Sequence, residues 1–363
     1  MKNRFLQLHF LTAYPPSNLN RDDLGRPKTA VVGGANRLRI SSQCLKRTWR
    51  TSDVFESRLE GAIGTRTRMI GQEIHEKLVA SGIGEKDATK WATLIVEQFG
   101  KVGEEKDESD DSKPEKSKKH AALKQLVHFS PQEEMGIYSL AEAVALRKSE
   151  PTKDELGSLK RRDIKAADIA LFGRMMADTP EFNMEAAAQV AHAITTHRVS
   201  IEDDFFSAVD DLNKGIEDRG SGHLGTHEFG SGLFYTYVCI NRELLIKNLQ
   251  GDVALAQTTI DAFVRAASTV SPSGKQNSFA AHGCALYILA ELGNQQPRSL
   301  SNAFFKPVNL QNQNVLEDSC NKMNAVSENL AKVYGPGCEK NWTVNVDEGK
   351  GTIAELVAFA IGE

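Results

Sequence analysis

The chain has 363 residues, 40% of them hydrophobic and 25% charged, and a formal net charge of −4. That length exceeds one compact core of ordinary size and implies a main domain with large insertions, or two domains. The balance is that of a soluble globular protein and excludes one that coats nucleic acid with its whole surface, so any such contact has to be local. No stretch of roughly 18 apolar residues predicts a membrane span. The start, Met1-Lys2-Asn3-Arg4, leads into an alternating segment and then Pro15-Pro16, where a secretory leader would place small residues at its cleavage site. The five cysteines, Cys44, Cys239, Cys284, Cys320 and Cys338, include no Cys-x-x-Cys pair. They suit a reducing cytoplasm, not a disulfide framework or a zinc site.

Phe5 to Thr12 alternates as a strand does, with Leu6, Leu8 and Phe10 on one face and Phe5, Gln7 and His9 on the other. From Ala13 to Asn36 proline, glycine and asparagine predict a long ordered loop or web. Arg37 to Ile40 is short and extended, after which Ser41 or Ser42 caps a helix to about Thr51. Between Gly61 and Ile164 helical spacing dominates, as in Ile70, Ile74 and Leu78, in Trp91, Ile95 and Phe99, and in Leu140 and Val144. Inside that stretch Lys101 to His120 is densely charged and predicts a flexible excursion. Asp168 to Phe172 reads as a strand, Met184 to Thr196 as an alanine-rich helix, and Val199 to Gly232 as a protruding loop or hairpin. Leu233 to Ile240 is the clearest strand, Val253 to Ala267 an amphipathic helix, and Cys284 to Ala290 a further strand. With the insertions set aside, the order is βαββαβ, that of an α+β ferredoxin-like or RNA-recognition fold.

One basic stripe stands out from the negative average. From Val31 through Thr51 there is no acidic residue, while Arg37, Arg39, Lys46, Arg47 and Arg50 are all cationic. A serine cap there sets unpaired backbone N–H groups at the positive end of a helix dipole, which is an anion site. Lys46 and Arg50 are four apart and share a face, and Leu45 and Trp49 form the neighbouring stripe that buries. An ordinary surface helix interleaves signs, so this pattern favours phosphates over solvent. Arg21 and Lys28, with Gly33-Gly34 nearby, form a second basic constellation in the web, and Asp22 or Asp23 is expected to orient Arg21 by an ion pair. His192 with His197, and His223 with His227 and Glu228, do not match a zinc protease, which needs a helix with histidines four apart and a glutamate directly after the first; Leu224 follows His223 and the glycines at 220, 222 and 225 break a helix, so these read as structural histidines. Asp203-Asp204-Phe205-Phe206-Ser207 places aromatics where they either join a core or stack on bases.

These motifs together resemble the CasC family, the repeating backbone subunit of the type I-E CRISPR surveillance complex called Cascade. The resemblance is carried by SNLNRDD at 17–23, GG at 33–34, RISSQCLKR at 39–47, DIALFGRM at 168–175, AHAITTHRV at 191–199, AVDDL at 208–212, HLGTHEFGSGLFYTY at 223–237 and SNAF at 301–304. It implies a palm of RNA-recognition type, a helical fingers insertion and a protruding thumb hairpin. The palm would take 1–60, 166–197 and 232–363, the fingers 61–165 and the thumb 198–231. It implies that Asn20, Arg21, Lys28, Ser41, Gln43, Lys46, Arg47 and Arg50 hold an RNA backbone, and that Met175, Phe206 and Ser207 fall where the strand kinks and a base flips out, with Phe205 an alternative to Phe206 as the wedge. The implied partners are a CRISPR guide RNA, further copies of the chain, other Cascade subunits, target DNA and, indirectly, a recruited helicase-nuclease. No cofactor, metal or catalytic residue is implied. The enzyme alternative is a metal-dependent ribonuclease using Asp22, Asp203 or Asp210.

Overall fold

The computed structural model describes residues 2–103, 121–161, 163–208, 223–311 and 314–362. Side chains of residues 208, 223 and 224 fall outside that description, as do most of the charged excursion expected at 101–120, the thumb tip with Asp210, and the glycines at 220 and 222. The chain divides into two compact units. Unit 1 comprises Met1–Arg58, Ala188–Glu243 and Ile260–Glu363, and unit 2 comprises Leu59–Ala187 and Leu244–Thr259.

In chain order the strands are β1 (Phe5–Ser17), β2 (Thr29–Val32), β3 (Ala35–Ile40), β4 (Thr65–Thr67), β5 (Val127–Phe129), β6 (Ala188–Val190), β7 (Ala193–Thr195), β8 (Glu202–Ala208), β9 (His223–Asn241), β10 (Ala285–Gly293) and β11 (Lys340–Asn345). Unit 1 is built on a sheet of order β11-β10-β1-β9-β7-β3-β2, with β6 and β8 also paired to β9. Its named strand pairs are antiparallel. β1 is central, and it runs beyond the expected end at Thr12. Ala13 and Tyr14 still pair with Leu233 and Gly232, the register then shifts, and Ser17 pairs with Gly230. Pro15-Pro16 fall in that irregularity, where no ladder N–H is demanded of them.

Both faces of β1 are buried, Leu6, Leu8 and Phe10 on one and Gln7 and His9 on the other. The second face is covered by the C-terminal part of the chain. Leu11, Tyr235, Tyr287 and Leu289 pack there with Leu300, Phe304, Leu316 and Met323. The polar residues of this face are satisfied within it: His9 Nε2 lies 3.2 Å from Glu291, and His9 Nδ1 lies 2.9 Å from the Tyr235 hydroxyl. Tyr237 donates from its hydroxyl to Gln7 at 2.8 Å.

The expected web is partly regular. β2 and β3 form a hairpin closed by Gly33 and Gly34, whose φ angles of 58° and 74° are the left-handed pair that a two-residue turn requires. A Cβ on Gly33 would also lie 1.6 Å from the carbonyl oxygen of Phe305, so the close approach made possible here is to the chain's own backbone.

Two expected elements are replaced. Asp168 to Phe172 is a helix, Ala167–Phe172, not a strand. A short apolar run buried on every side carries no period that separates the two. The buried Asp168 accepts Gly64 N–H at 2.9 Å and lies 2.8 Å from His128 Nε2. Met184 to Thr196 is not an alanine-rich helix, because Ala188–Val190 and Ala193–Thr195 each pair with β9 and tertiary pairing overrides alanine's local preference. In unit 2 the pair β4–β5 accompanies helices that enclose a core including Ile74, Trp91, Ile95, Phe99, Phe129 and Val144.

Candidate nucleic-acid interface

The helix Ser42–Arg50 begins at Ser41, whose side chain accepts the Cys44 backbone N–H at 3.3 Å. Ser41 is therefore the cap, and Ser42 is the first helical residue. Leu45 and Trp49 are buried, and Trp49 meets Phe263 edge-on with centroids 5.3 Å apart. That stripe anchors the helix. The rest of its surface carries Gln43 and Arg47, both exposed, and Lys46 and Arg50, both half-buried. No acid stands in its first turn. Burial pushes the Lys46 ammonium below the usual lysine value.

The loop before β2 is tied to this helix start by one hydrogen bond. The Ser41 backbone N–H donates to the side-chain oxygen of Asn20 at 2.9 Å. Asn20 also accepts the Lys28 N–H through its carbonyl at 2.9 Å, and Lys28 in turn accepts the Arg39 N–H at 2.8 Å. Asn18 fixes the same loop from behind, donating to the carbonyls of Gly25 and Glu228. Asn20, Lys28 and Arg39 consequently line one small cleft with Gly230 and Phe234. Arg21, next in sequence to Asn20, is exposed.

The Asp22 carboxylate closes the loop, accepting the N–H groups of Leu24 at 3.0 Å and Arg26 at 2.9 Å. Among the described residues the expected ion pair of Arg21 with Asp22 or Asp23 is not formed. Asp22 is a turn-forming side chain of the Asx kind.

Arg37 also departs from expectation. It belongs to the acid-free stripe by sequence but is wholly buried, donating to the carbonyls of Thr195 and Phe304 at 2.9 Å each. It braces the sheet and offers no charge to a ligand. Alternation along β3 puts Arg37 and Arg39 on one face, yet Arg39 reaches the cleft, with Nη1 2.9 Å from Nδ1 of His192. Burial, then the charges of Arg39 and Lys28, hold His192 below the usual histidine range, so Nδ1 accepts the guanidinium hydrogen. In sequence His192 suggests only a zinc pair, and Arg39 stands in the basic stripe without being singled out for the site. His197 is structural: Nδ1 donates to the Arg198 carbonyl at 2.9 Å, and Nε2 accepts the Leu233 N–H at 3.2 Å.

The thumb segment is a hairpin of β8 with the first half of β9, in register from Glu202 opposite Phe229 to Ala208 opposite His223. The adjacent Phe205 and Phe206 face opposite sides. Phe206 stacks on His227, centroids 4.3 Å apart, over Gly225, where a Cβ would come within 2.4 Å of the ring. Phe205 is 67% exposed, and Ser207 is exposed beside it. The base of the hairpin is held by Lys275, whose Nζ lies 2.7 Å from His227 Nδ1. Lys275 has a left-handed backbone with φ of 48°, a strained state for a residue that bears a side chain.

Met175 belongs to unit 2. It follows Gly173, whose φ is 81°, and is 79% exposed, while its neighbour Arg174 turns inward to a buried ion pair with Glu133 at 2.6 Å. No group of three or more metal-ligating side chains converges among the described residues, and the five cysteines are free thiols. No described helix is long and apolar enough to cross a membrane.

The family model described as "CT1975-like protein" matches residues 6–359. No curated protein matches the chain. Among solved structures, one described as "CRISPR RNA-guided surveillance complex, pre-nicking" contains a chain 31% identical, with a TM-score of 0.81, covering 98% of this chain and 100% of that one. A second, described as "CRISPR RNA-guided surveillance complex", contains a chain 26% identical with a TM-score of 0.70, covering 99% of this chain and 95% of that one.

Proposed function

The chain belongs to the CT1975-like protein family, and from that premise we propose that it is a non-catalytic, RNA-binding backbone subunit of a type I-E CRISPR surveillance complex. The observation that carries the reading is the Asn20–Ser41 hydrogen bond, which joins a basic loop to an acid-free helix start. Arg21, Lys28 and Arg39 come from one side of that junction and Gln43, Lys46, Arg47 and Arg50 from the other, so a phosphodiester strand meets cations and amides along its length. None of these contacts distinguishes one base from another.

Copies of the chain stack along a guide RNA, with other subunits at the ends, and the exposed guide segments pair with target DNA. Cutting falls to a recruited helicase-nuclease. The strands β10-β1-β9 with β6 and β7 are read as a ferredoxin-like palm, in which the residues at 188–195 serve as the second strand of the βαββαβ order. A reducing cytoplasm is the compartment in which such a complex works. The Asp22 carboxylate, engaged by two backbone N–H groups, supports a binding role over ribonuclease chemistry at that loop.

The test is purification of the full chain under low salt, with absorbance at 260 nm and extraction of bound nucleic acid. Copurifying RNA of defined length supports the proposal. A chain that is free of RNA and fails to retain added single-stranded RNA overturns it, and magnesium-dependent cleavage of a guide-paired RNA overturns its non-catalytic part.

A further inference from the structure

The hydrogen bond between Arg39 and His192 is a contact that the loop-and-helix site leaves unexplained. Strand pairing makes it: Ile194 on β7 lies opposite Arg39 on β3, which puts His192 on the diagonal, within reach of a long side chain. Arg39 donates through Nε to the Thr29 carbonyl at 3.3 Å and through Nη1 to His192 Nδ1 at 2.9 Å. Among the described residues its Nη2 donates to nothing. A guanidinium gives hydrogens and offers no lone pair, so the contact exists only while Nδ1 is unprotonated and the neutral ring carries its hydrogen on Nε2.

The ring is exposed and stands among cations. Partial desolvation, then Arg39 from β3 and Lys28 from the loop before β2, all disfavour its protonated form. β9 pairs with the strands on either side of His192, Val190 opposite Val238 and Ile194 opposite Tyr235. The titratable groups of that stretch, Tyr235 and Tyr237, are kept protonated by burial. Among the described residues no carboxylate pairs with Lys28, Arg39 or His192. Lys28 and Arg39 both line the cleft that holds Gly230 and Phe234. Two fixed cations and a third group able to become one therefore meet with no counter-charge, an arrangement that an incoming anion satisfies.

We infer that strand binding at this junction takes up one proton on His192, which gives up its hydrogen bond with Arg39 and shares a phosphate with it. A phosphate oxygen held by Lys28 and by Nη2 of Arg39 supplies the negative charge that favours the imidazolium, and it accepts the N–H that neutral Nδ1 lacks. The proton comes from solvent and adds to Nδ1, and no covalent bond besides that N–H forms or breaks. The empty cleft is thus spared a third repelling charge, and the filled one gains it. Binding raises the ring's proton affinity, so strand affinity is greatest below the pKa of the free ring. It falls as pH rises from that value to the higher pKa of the bound ring, and levels off above it. The inference rests on the RNA-binding reading above and makes the grip sensitive to pH.

The experiment is calorimetric titration of the full chain, stripped of copurifying RNA, with a mixed-sequence single-stranded RNA in buffers of different ionisation enthalpy, which counts the protons bound. Fluorescence anisotropy of the same RNA, labelled, follows affinity from about pH 5.5 to 8.5 at fixed ionic strength, the range in which histidine changes charge. Wild type is expected to take up protons and to lose affinity as pH rises, at up to about tenfold per pH unit for one proton. His192→Gln keeps an oxygen that accepts from Arg39 but cannot titrate, and it is expected to abolish that uptake and flatten the pH profile. A ring that merely props Arg39 would instead be replaced by glutamine without change in either readout. Wild type that binds RNA with no proton uptake, or His192→Gln with wild-type uptake, overturns the inference and leaves the proposed function standing. The first of these needs no variant, and His192→Asn takes the place of His192→Gln if circular dichroism shows the latter unfolded. Wild type that binds no RNA at any pH removes both.

Discussion

Phe206 lies flat on His227, 14° from parallel, whereas Phe205, one residue earlier, turns its ring to solvent. The neighbouring rings therefore do different work. Phe206 pins the two strands of the hairpin together, and Phe205 is the ring available to enter a base stack. Phe205→Ala is expected to blur the regular spacing of reactive nucleotides in chemical probing of bound RNA, at unchanged salt slope. Phe206→Ala is expected to raise amide exchange along β8 before it alters that spacing. The reverse pattern would return the wedge to Phe206.

Gly225 provides a steric counterpart. A methyl group there meets the Phe206 ring at 2.4 Å, so Gly225→Ala displaces the ring from His227. Its expected exchange profile is that of Phe206→Ala, and a wild-type profile would show that the stack does not hold the hairpin.

Lys46→Ala with Arg50→Ala removes two cations from the helix that Ser41 caps. Binding to single-stranded RNA weakens, and the salt slope becomes shallower by about 1.4. Thermal stability changes little, since the packed stripe of Leu45 and Trp49 is untouched. An unchanged slope would make this helix ordinary surface.

Arg37→Met is expected to do the opposite. It deprives the carbonyls of Thr195 and Phe304 of their donor, which costs about 1–3 kcal/mol per unsatisfied buried group. The urea midpoint falls, while the folded fraction binds RNA with the wild-type salt slope. A shallower slope in the folded fraction would place Arg37 on the RNA.

Glu291 supplies a pH-dependent contribution. Burial pushes its carboxyl up, but hydrogen bonding and charge from His9 more than offset this and hold it below the usual glutamate value. A depressed carboxylate stabilises the fold above its unfolded pKa, and that contribution is lost as pH falls through the lower folded value. Glu291→Gln is thus expected to lower stability at neutral pH and to weaken its dependence on pH on the acid side, read from urea midpoints. Parallel curves for the two proteins would mean that the His9 contact carries no net stabilisation.

Local rules made much of this legible. The cap at Ser41 and the burial of Leu45 and Trp49 follow from spacing and capping chemistry, which act within one turn of helix. Arg37 was not legible, because a guanidinium sunk among carbonyls looks in sequence like any other cation beside Arg39. Ile169 to Phe172 is apolar throughout and offers no period, and only the tertiary contacts of Asp168 with Gly64 and His128 fix the start of the helix. His192 and Lys275 reach their positions only through strand pairing and a left-handed turn. Phe205 and Phe206 form an aromatic pair in sequence, and register against β9 sets them on opposite sides.

The C-terminal segment seals the sheet face that bears Tyr235 and Tyr287. Free-standing RNA-recognition sheets use aromatics on that face as a shelf for individual bases. With that face enclosed among the described residues, its aromatics are closed to any base. Under the proposed function, a cell that acquires a new guide needs no new protein to display it, and the memory can be rewritten without remaking its holder.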